Sequence, residues 1–119
     1  MKYTVFVYGT LKTGHRNHHL MDRLQAVFLG EAETRLPMTI SVKGRLPFLW
    51  KDPDAIGPVV GELYEIDEFW IGFLDQFEGH PEWYRREEIG VVLVKDGERF
   101  DKRAWAYMRE EAGEKTQCF

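Results

Sequence analysis

Two short segments carry residue types from which a reaction could be built. The first is Tyr8-Gly9-Thr10-Leu11, continued by Lys12-Thr13-Gly14, at the end of an apolar run. A strand ending at Tyr8 and a turn opening at Gly9 would point backbone N–H groups outward, where they can hold a carboxylate or a developing oxyanion. Gly9 allows unusual dihedrals and the close approach of a ligand. The segment is not a Walker-type phosphate loop, because no Gly-Lys-Ser/Thr closes it. The alternative is plain structure, with Gly9 a turn residue and Tyr8 a core aromatic.

The second segment centres on Glu78. Asp67 can cap a helix running to about Glu78, and Trp70, Phe73, Leu74 and Phe77 recur at helical spacing as its expected buried stripe. At roughly 100° per residue Glu78 falls at the edge of that stripe. It also lies in the last turn, where the helix dipole disfavours negative charge. Partial burial and the dipole both raise a carboxyl pKa, and a carboxyl tuned upward can take and return a proton near neutral pH. The competing reading is an ion pair with Arg85 or Arg86, which would lower that pKa. Glu82 follows Pro81 in a loop and reads as solvated. Trp83 and Tyr84 could line a pocket, with packing the simpler expectation.

Other reactive side chains form no complete constellation. His15 and His19 have i, i+4 spacing, with His18 between them, but no intervening Glu or further ligand cluster completes a zinc site. A solvated or capping role is expected, and no metal. His80 follows Glu78 and could assist proton transfer, though a plain loop residue is the simpler reading. The lone Cys118 cannot form an internal disulfide, and its place near the C-terminus does not suit catalysis.

These segments need a scaffold. Tyr3 to Tyr8 is β-branched and aromatic on both alternating faces, which fits a central strand. A short helix should start near Asn17 as its cap, with Leu20, Met21 and Leu24 as its apolar side. Val27–Ala32, Met38–Val42 and Val59–Ile66 read as strands, the last broken only by Gly61. Residues 51–58 read as a loop. Gly79 and Pro81 should stop the Glu78 helix. Ile89–Lys95 and Arg99–Arg109 read as long strands joined by an Asp96-Gly97 hairpin turn. The expected class is α+β, a small, mostly antiparallel curled sheet or barrel with two or so helices. Residues 1–109 would form the domain and residues 110–119 a polar, fraying tail.

Bulk properties agree with one folded domain. The chain has 119 residues, 44% hydrophobic and 14% aromatic, enough for a core and too aromatic for disorder. The net charge of -4 argues against a general nucleic-acid partner, and Arg85-Arg86 is followed at once by Glu87-Glu88. No apolar run approaches a membrane span and no signal-peptide layout opens the chain, so the expected address is the cytoplasm.

Taken together, the two segments resemble a known family. Val5-Phe6-Val7-Tyr8-Gly9-Thr10-Leu11-Lys12-Thr13-Gly14, with Asn17-His18, looks like the opening signature of the γ-glutamylcyclotransferase-like (AIG2-like) superfamily. Leu74-Asp75-Gln76-Phe77-Glu78 resembles the segment with that family's catalytic glutamate. Phe77, Glu78, Pro81, Tyr84 and Arg86 match the pattern of its γ-glutamylamine cyclotransferase branch. The correspondence runs from Val5 to about Tyr107 and is dense only at these segments.

The resemblance implies a barrel-like α+β fold with a cavity and no cofactor. It implies that Tyr8, Gly9, Thr10 and Leu11 hold a substrate's α-carboxylate and neighbouring polar groups, that Glu78 is the acid/base, and that Tyr84 and Tyr107 line the pocket. Pro47-Phe48-Leu49 resembles a pocket wall. The implied reaction converts a small γ-glutamyl amide, such as γ-glutamyl-ε-lysine, to 5-oxoproline and a free amine. The short Asp96-Gly97 hairpin and small C-terminal extension depart from longer members on the leaving-group side. Open alternatives are a cyclotransferase for another γ-glutamyl conjugate, a non-catalytic small-ligand module, or a scaffold domain built on Trp50, Trp70, Trp83 and Trp105.

Overall fold

A computed structural model describes residues 1–9, 11–43, 46–80, 82–109 and 114–116. In chain order the elements are β1 (Lys2–Val7), α1 (His19–Arg23), β2 (Val27–Thr34), β3 (Thr39–Lys43), β4 (Leu46–Trp50), β5 (Val60–Asp67), α2 (Glu68–Glu78), β6 (Arg85–Lys95), β7 (Glu98–Met108) and β8 (Glu114–Thr116). The sheet order is β1-β5-β2-β6-β7-β4-β3-β8, and an added β1–β7 pairing closes the first five strands on themselves. Closure removes the two exposed edges that five open strands would leave. The β1–β7 and β4–β7 pairs are parallel and all others antiparallel. The expected α+β class with a curled, mostly antiparallel sheet and two helices is what forms.

β1 is apolar on both faces because both faces are covered. Phe6 and Tyr8 join Leu63 of β5, Ala32 of β2, Ile89, Val91 and Leu93 of β6, and Ala104 and Ala106 of β7 in one core, the barrel interior. Val5 and Val7 point the other way, into a second core with Met21 of α1, Ile71 and Leu74 of α2, and Tyr64 and Ile66 of β5. Gly61 of β5 leaves no room for a side chain: a Cβ there would lie 2.4 Å from the Val7 carbonyl oxygen and 2.7 Å from Phe6 Cζ.

α2 is set by its ends. The Asp67 carboxylate accepts from the Phe69 N–H at 2.9 Å, capping the start as expected. Gly79 ends it in the left-handed region at φ 67°, where a side chain would be strained. Pro81, the expected stop, lies outside the described residues. The buried face of α2 matches the expected stripe only in part, with Leu74 buried and Trp70 partly so. Ile71 and Leu74 are buried, whereas Phe73 is 53% and Phe77 47% exposed. The phenylalanines do recur at helical spacing, but the helix lies on the barrel by the adjacent face.

α1 also departs from expectation. It begins at His19 with His18 at the cap position and no side-chain cap bond, so Asn17 is not its cap. Asn17 instead contributes its carbonyl to the turn before the helix, accepting from Leu20 N–H at 3.1 Å. β4 was not anticipated: Pro47, Phe48, Leu49 and Trp50 are all buried, so the segment shows no alternation. β6 begins at Arg85, before the expected Ile89. Asp96 and Gly97 both have positive φ, 53° and 77°, as a tight hairpin turn between β6 and β7 requires. Within the expected tail, residues 114–116 pair with β3 as β8. Among the described residues no helix is long and apolar enough to cross a membrane.

Candidate active site

The carboxyl end of β1 and the carboxyl end of α2 face each other across a cavity of about 460 Å³, in the size range of small-ligand sites. Tyr8, Gly9 and Leu11 line it from the turn, and Gln76, Phe77, Glu78 and Gly79 line it from the helix end. Tyr84 and Tyr107 close the wall between them, together with Pro47 and Asn17. Six of the expected site residues, Tyr8, Gly9, Leu11, Glu78, Tyr84 and Tyr107, are thus brought together, while Thr10 lies outside the described residues.

The turn is held from several sides. Lys12 N–H donates to the Gly9 carbonyl at 3.1 Å, closing it. His18 Nδ1 lies 3.0 Å from the Leu11 carbonyl, which fixes that nitrogen as the protonated one, since a carbonyl can only accept. Thr13 N–H donates to the Glu62 carboxylate on β5 at 2.7 Å. His18 therefore props the turn. Among the described residues no group of three or more His, Cys, Asp or Glu side chains is placed to hold a metal ion.

Glu78 is a carboxyl placed in poor solvent. Burial pushes it from its usual 4.5 up to about 7. Its place at the C-terminal end of α2 acts in the same direction. Of the two arginines expected to compete for Glu78, Arg85 and Arg86, the second is taken elsewhere: Arg86 Nε bonds the Asp75 carboxylate at 3.2 Å. The Glu78 carboxyl is raised and not lowered, the opposite of what an arginine partner would do.

Three tyrosines surround this carboxyl, and each donates its hydroxyl hydrogen into the wall. Tyr8 donates to the Tyr107 carbonyl at 2.5 Å, Tyr84 to the Pro47 carbonyl at 2.7 Å, and Tyr107 to the Asp75 carboxylate at 2.5 Å. Burial first, and the Glu78 charge next, push Tyr84 up to about 12 and Tyr8 well above its usual value. Burial and the Asp75 hydrogen bond raise Tyr107, with a smaller contribution from Glu78. All three stay neutral at neutral pH. With their donors spent they offer only lone pairs, so the lining near Glu78 is rich in acceptors and suits a donor such as an ammonium group.

The remaining candidates divide. Pro47 lines the cavity, whereas Phe48 and Leu49 are buried in the two cores. Trp83 lines the cavity mouth while 60% exposed. Glu82 is exposed. His80 is not a bare loop residue: its Nδ1 accepts from Arg86 N–H at 3.0 Å. Asn17, Gln76 and Asp75 were named from sequence only as a cap or as parts of motifs, without a role in the site. Only a register linking α2 to β6 and β7 could have shown that Asp75, and not Glu78, meets Arg86.

Comparison with known proteins identifies relatives of the chain. The family described as gamma-glutamyl cyclotransferase, AIG2-like, matches residues 5–118. Gamma-glutamylaminecyclotransferase C of Danio rerio is 41% identical over 96 residues, covering 76% of this chain and 63% of the relative. The gamma-glutamylaminecyclotransferase of Bos taurus is 44% identical over 94 residues, 75% of this chain and 56% of the relative. The chain therefore spans somewhat under two thirds of the length of these relatives. The crystal structure of an AIG2-like protein from Mus musculus superposes with a TM-score of 0.81 at 32% identity, covering 91% of this chain and 77% of that one.

Proposed function

The chain belongs to the gamma-glutamyl cyclotransferase, AIG2-like family, and from that premise we propose that it is a cyclotransferase for γ-glutamyl amines, with Glu78 as its general acid/base. The observation that carries this reading is a carboxyl raised to about 7, lining the same cavity as the Gly9–Leu11 turn. Relatives named as gamma-glutamylaminecyclotransferases at 41% and 44% identity favour γ-glutamyl amines over other γ-glutamyl conjugates.

In the proposed reaction the substrate's α-carboxylate rests on the backbone N–H groups of the turn at Tyr8, Gly9, Thr10 and Leu11. Its α-ammonium lies among the tyrosine oxygens and gives a proton to Glu78. The freed amine attacks the γ-carbonyl carbon of the same molecule, forming one C–N bond and a tetrahedral oxyanion. Fixed donors of the turn stabilise that oxyanion. Collapse breaks the bond to the leaving nitrogen, which takes the proton back from Glu78. The ring nitrogen gives up its second proton through the again ionised Glu78 to the departing amine, so the products are 5-oxoproline and an amine that leaves as its ammonium, with no redox change.

Nucleophile and electrophile share one molecule, so holding it folded supplies much of the acceleration and one acidic side chain suffices. Phe77 and Trp83 present apolar surface at the mouth, which suits the methylene chain of an alkyl amine leaving group. The reaction as drawn needs no cofactor, and the partner it requires is a small γ-glutamyl compound met in solution, as a cytoplasmic enzyme would meet it. The test is release of 5-oxoproline from γ-glutamyl-ε-lysine, γ-glutamyl alkylamines and γ-glutamyl amino acids. Release from the amines, fastest with the lysine conjugate, is the expected outcome. Release from none of them would overturn the assignment.

A further inference from the structure

We propose that Glu62 is a positioning residue for the Gly9–Leu11 turn: from outside the cavity, its carboxylate and the Tyr64 hydroxyl pin the far end of that turn to the strand beside which it begins. This rests on the turn being the carboxylate-binding half of the site described above.

The chain leaves β1 at Val7, and Val7 pairs directly with Glu62 across the β1–β5 ladder. The excursion that starts at Tyr8 returns to the same residue at Thr13, whose N–H donates to Glu62 Oε1 at 2.7 Å. Both ends of the turn are therefore tied to Glu62, one through strand pairing and one through its side chain.

Tyr64 completes the hold. It stands two residues along β5 and so faces the same side as Glu62. Its hydroxyl lies 3.2 Å from both Glu62 Oε1 and Thr13 Oγ1. A carboxylate can only accept, so the Tyr64 hydrogen goes to Glu62 and the Thr13 hydroxyl donates to Tyr64. Burial raises the Tyr64 hydroxyl above its usual value, so it keeps that hydrogen. The Tyr64 ring also lies 6.1 Å from the ring of His18, which donates to the Leu11 carbonyl at 3.0 Å. Leu11 and Thr13 are thus each fixed, and between them Lys12 N–H closes the turn on the Gly9 carbonyl. Glu62, Tyr64 and His18 stand outside the cavity lining, so they act on a ligand only through the turn.

The sheet by itself gives no reason for an acid at this position. Glu31 of β2 pairs directly opposite Glu62, and like charges opposite one another destabilise a strand pair. The bonds from Thr13 and Tyr64 offset that repulsion. A turn that receives a carboxylate through its N–H groups binds best when those groups are already aimed, because ordering a loose turn at each encounter costs affinity. The carboxylate is held in ground and transition state alike, so loosening the turn should raise KM more than it lowers kcat.

Two readouts test this in Glu62→Ala, Glu62→Gln and Tyr64→Phe. One is hydrogen exchange of the Lys12 amide in protein without substrate, which reports the turn's own closing bond. The other is KM and kcat for γ-glutamyl-ε-lysine. In Glu62→Ala, Lys12 exchange and KM should each rise about three- to tenfold, the range of one net hydrogen bond, with kcat changing less. Exchange in β6 and β7 should stay at the parent's rate, which separates a loosened turn from a loosened fold. Glu62→Gln keeps an acceptor oxygen and should recover most of both losses. Tyr64→Phe removes only the bridging hydroxyl and should move both readouts the same way by less; its sign decides if Glu62→Ala does not fold. Unchanged Lys12 exchange or unchanged KM in Glu62→Ala would overturn the proposal, as would a Glu62→Gln protein no better than Glu62→Ala. A parent that releases no 5-oxoproline would instead remove the cyclotransferase reading, while Lys12 exchange would still decide whether Glu62 holds the turn.

Discussion

Replacing Glu78 by glutamine should stabilise the protein while removing its chemistry. Burial holds the carboxyl at about 7 in place of 4.5, a rise of some two and a half units. At 1.36 kcal/mol per unit this is about 3 kcal/mol. The folded state binds this proton more tightly than the unfolded chain does, so stability is lost as pH rises from 4.5 through about 7. Above that range the whole penalty is present. Glutamine has nearly the same shape and never ionises, so it carries no such penalty. Glu78→Gln should therefore exceed the parent by about 3 kcal/mol at pH 8.5 and by less than about 0.5 kcal/mol at pH 4.5. Urea unfolding at the two pH values reads this directly. With a slope of about 1–3 kcal/mol per molar, the midpoint at pH 8.5 should rise by at least about 1 M. Equal midpoints at pH 8.5, or a gap that does not change with pH, would refute the claim that Glu78 is held as a buried, destabilised carboxylate.

Other outcomes follow from the same structure. The rate of 5-oxoproline formation should fall on the acid side with a midpoint near 7, because Glu78 must be ionised to accept the ammonium proton; a pH-rate profile of kcat/KM checks it. Tyr84→Phe removes the buried donor to the Pro47 carbonyl at 2.7 Å and should cost about 1–2 kcal/mol in chemical denaturation while leaving the cavity's shape. Gly61→Ala places a Cβ 2.4 Å from the Val7 carbonyl oxygen and should cost about 3 kcal/mol or fail to fold. Gly72→Ala meets nothing within 4 Å on exposed α2 surface and should add about 0.5–1 kcal/mol, so thermal melts of the two should move in opposite directions.

What the sequence made legible was whatever depends on neighbours along the chain. The Asp67 cap, the Gly79 stop and the Asp96-Gly97 hairpin each arise from a few residues' own chemistry. The double-sided apolar run of β1 likewise announced a strand covered on both faces. Features set by distant contacts were harder. The spacing of Trp70, Phe73, Leu74 and Phe77 marks a helix but only part of its buried face, because Leu74 meets the barrel together with Ile71 while Phe73 and Phe77 are left exposed. β4 carries a proline and is buried on both sides, so neither propensity nor alternation marks it. At the site, the two ends of the cavity were legible separately. That Asp75 takes Arg86 and Tyr107 was not, because this depends on how α2 crosses the β6–β7 ladder. The same contact bears on Glu78, since it engages one of the two arginines that could have paired with it.

The central claim is that Glu78 moves the proton in closing the lactam. Its most direct test is single-turnover release of 5-oxoproline from γ-glutamyl-ε-lysine by the parent protein and by Glu78→Gln, each first shown to be folded and to bind substrate. Measurable product is expected from the parent and a loss of at least about a hundredfold in the variant, the lower end of what a general acid/base supplies. Binding should be largely kept, because the substitution leaves untouched the Gly9–Leu11 turn proposed to receive the α-carboxylate. A folded Glu78→Gln protein that releases 5-oxoproline at the parent's rate would contradict it.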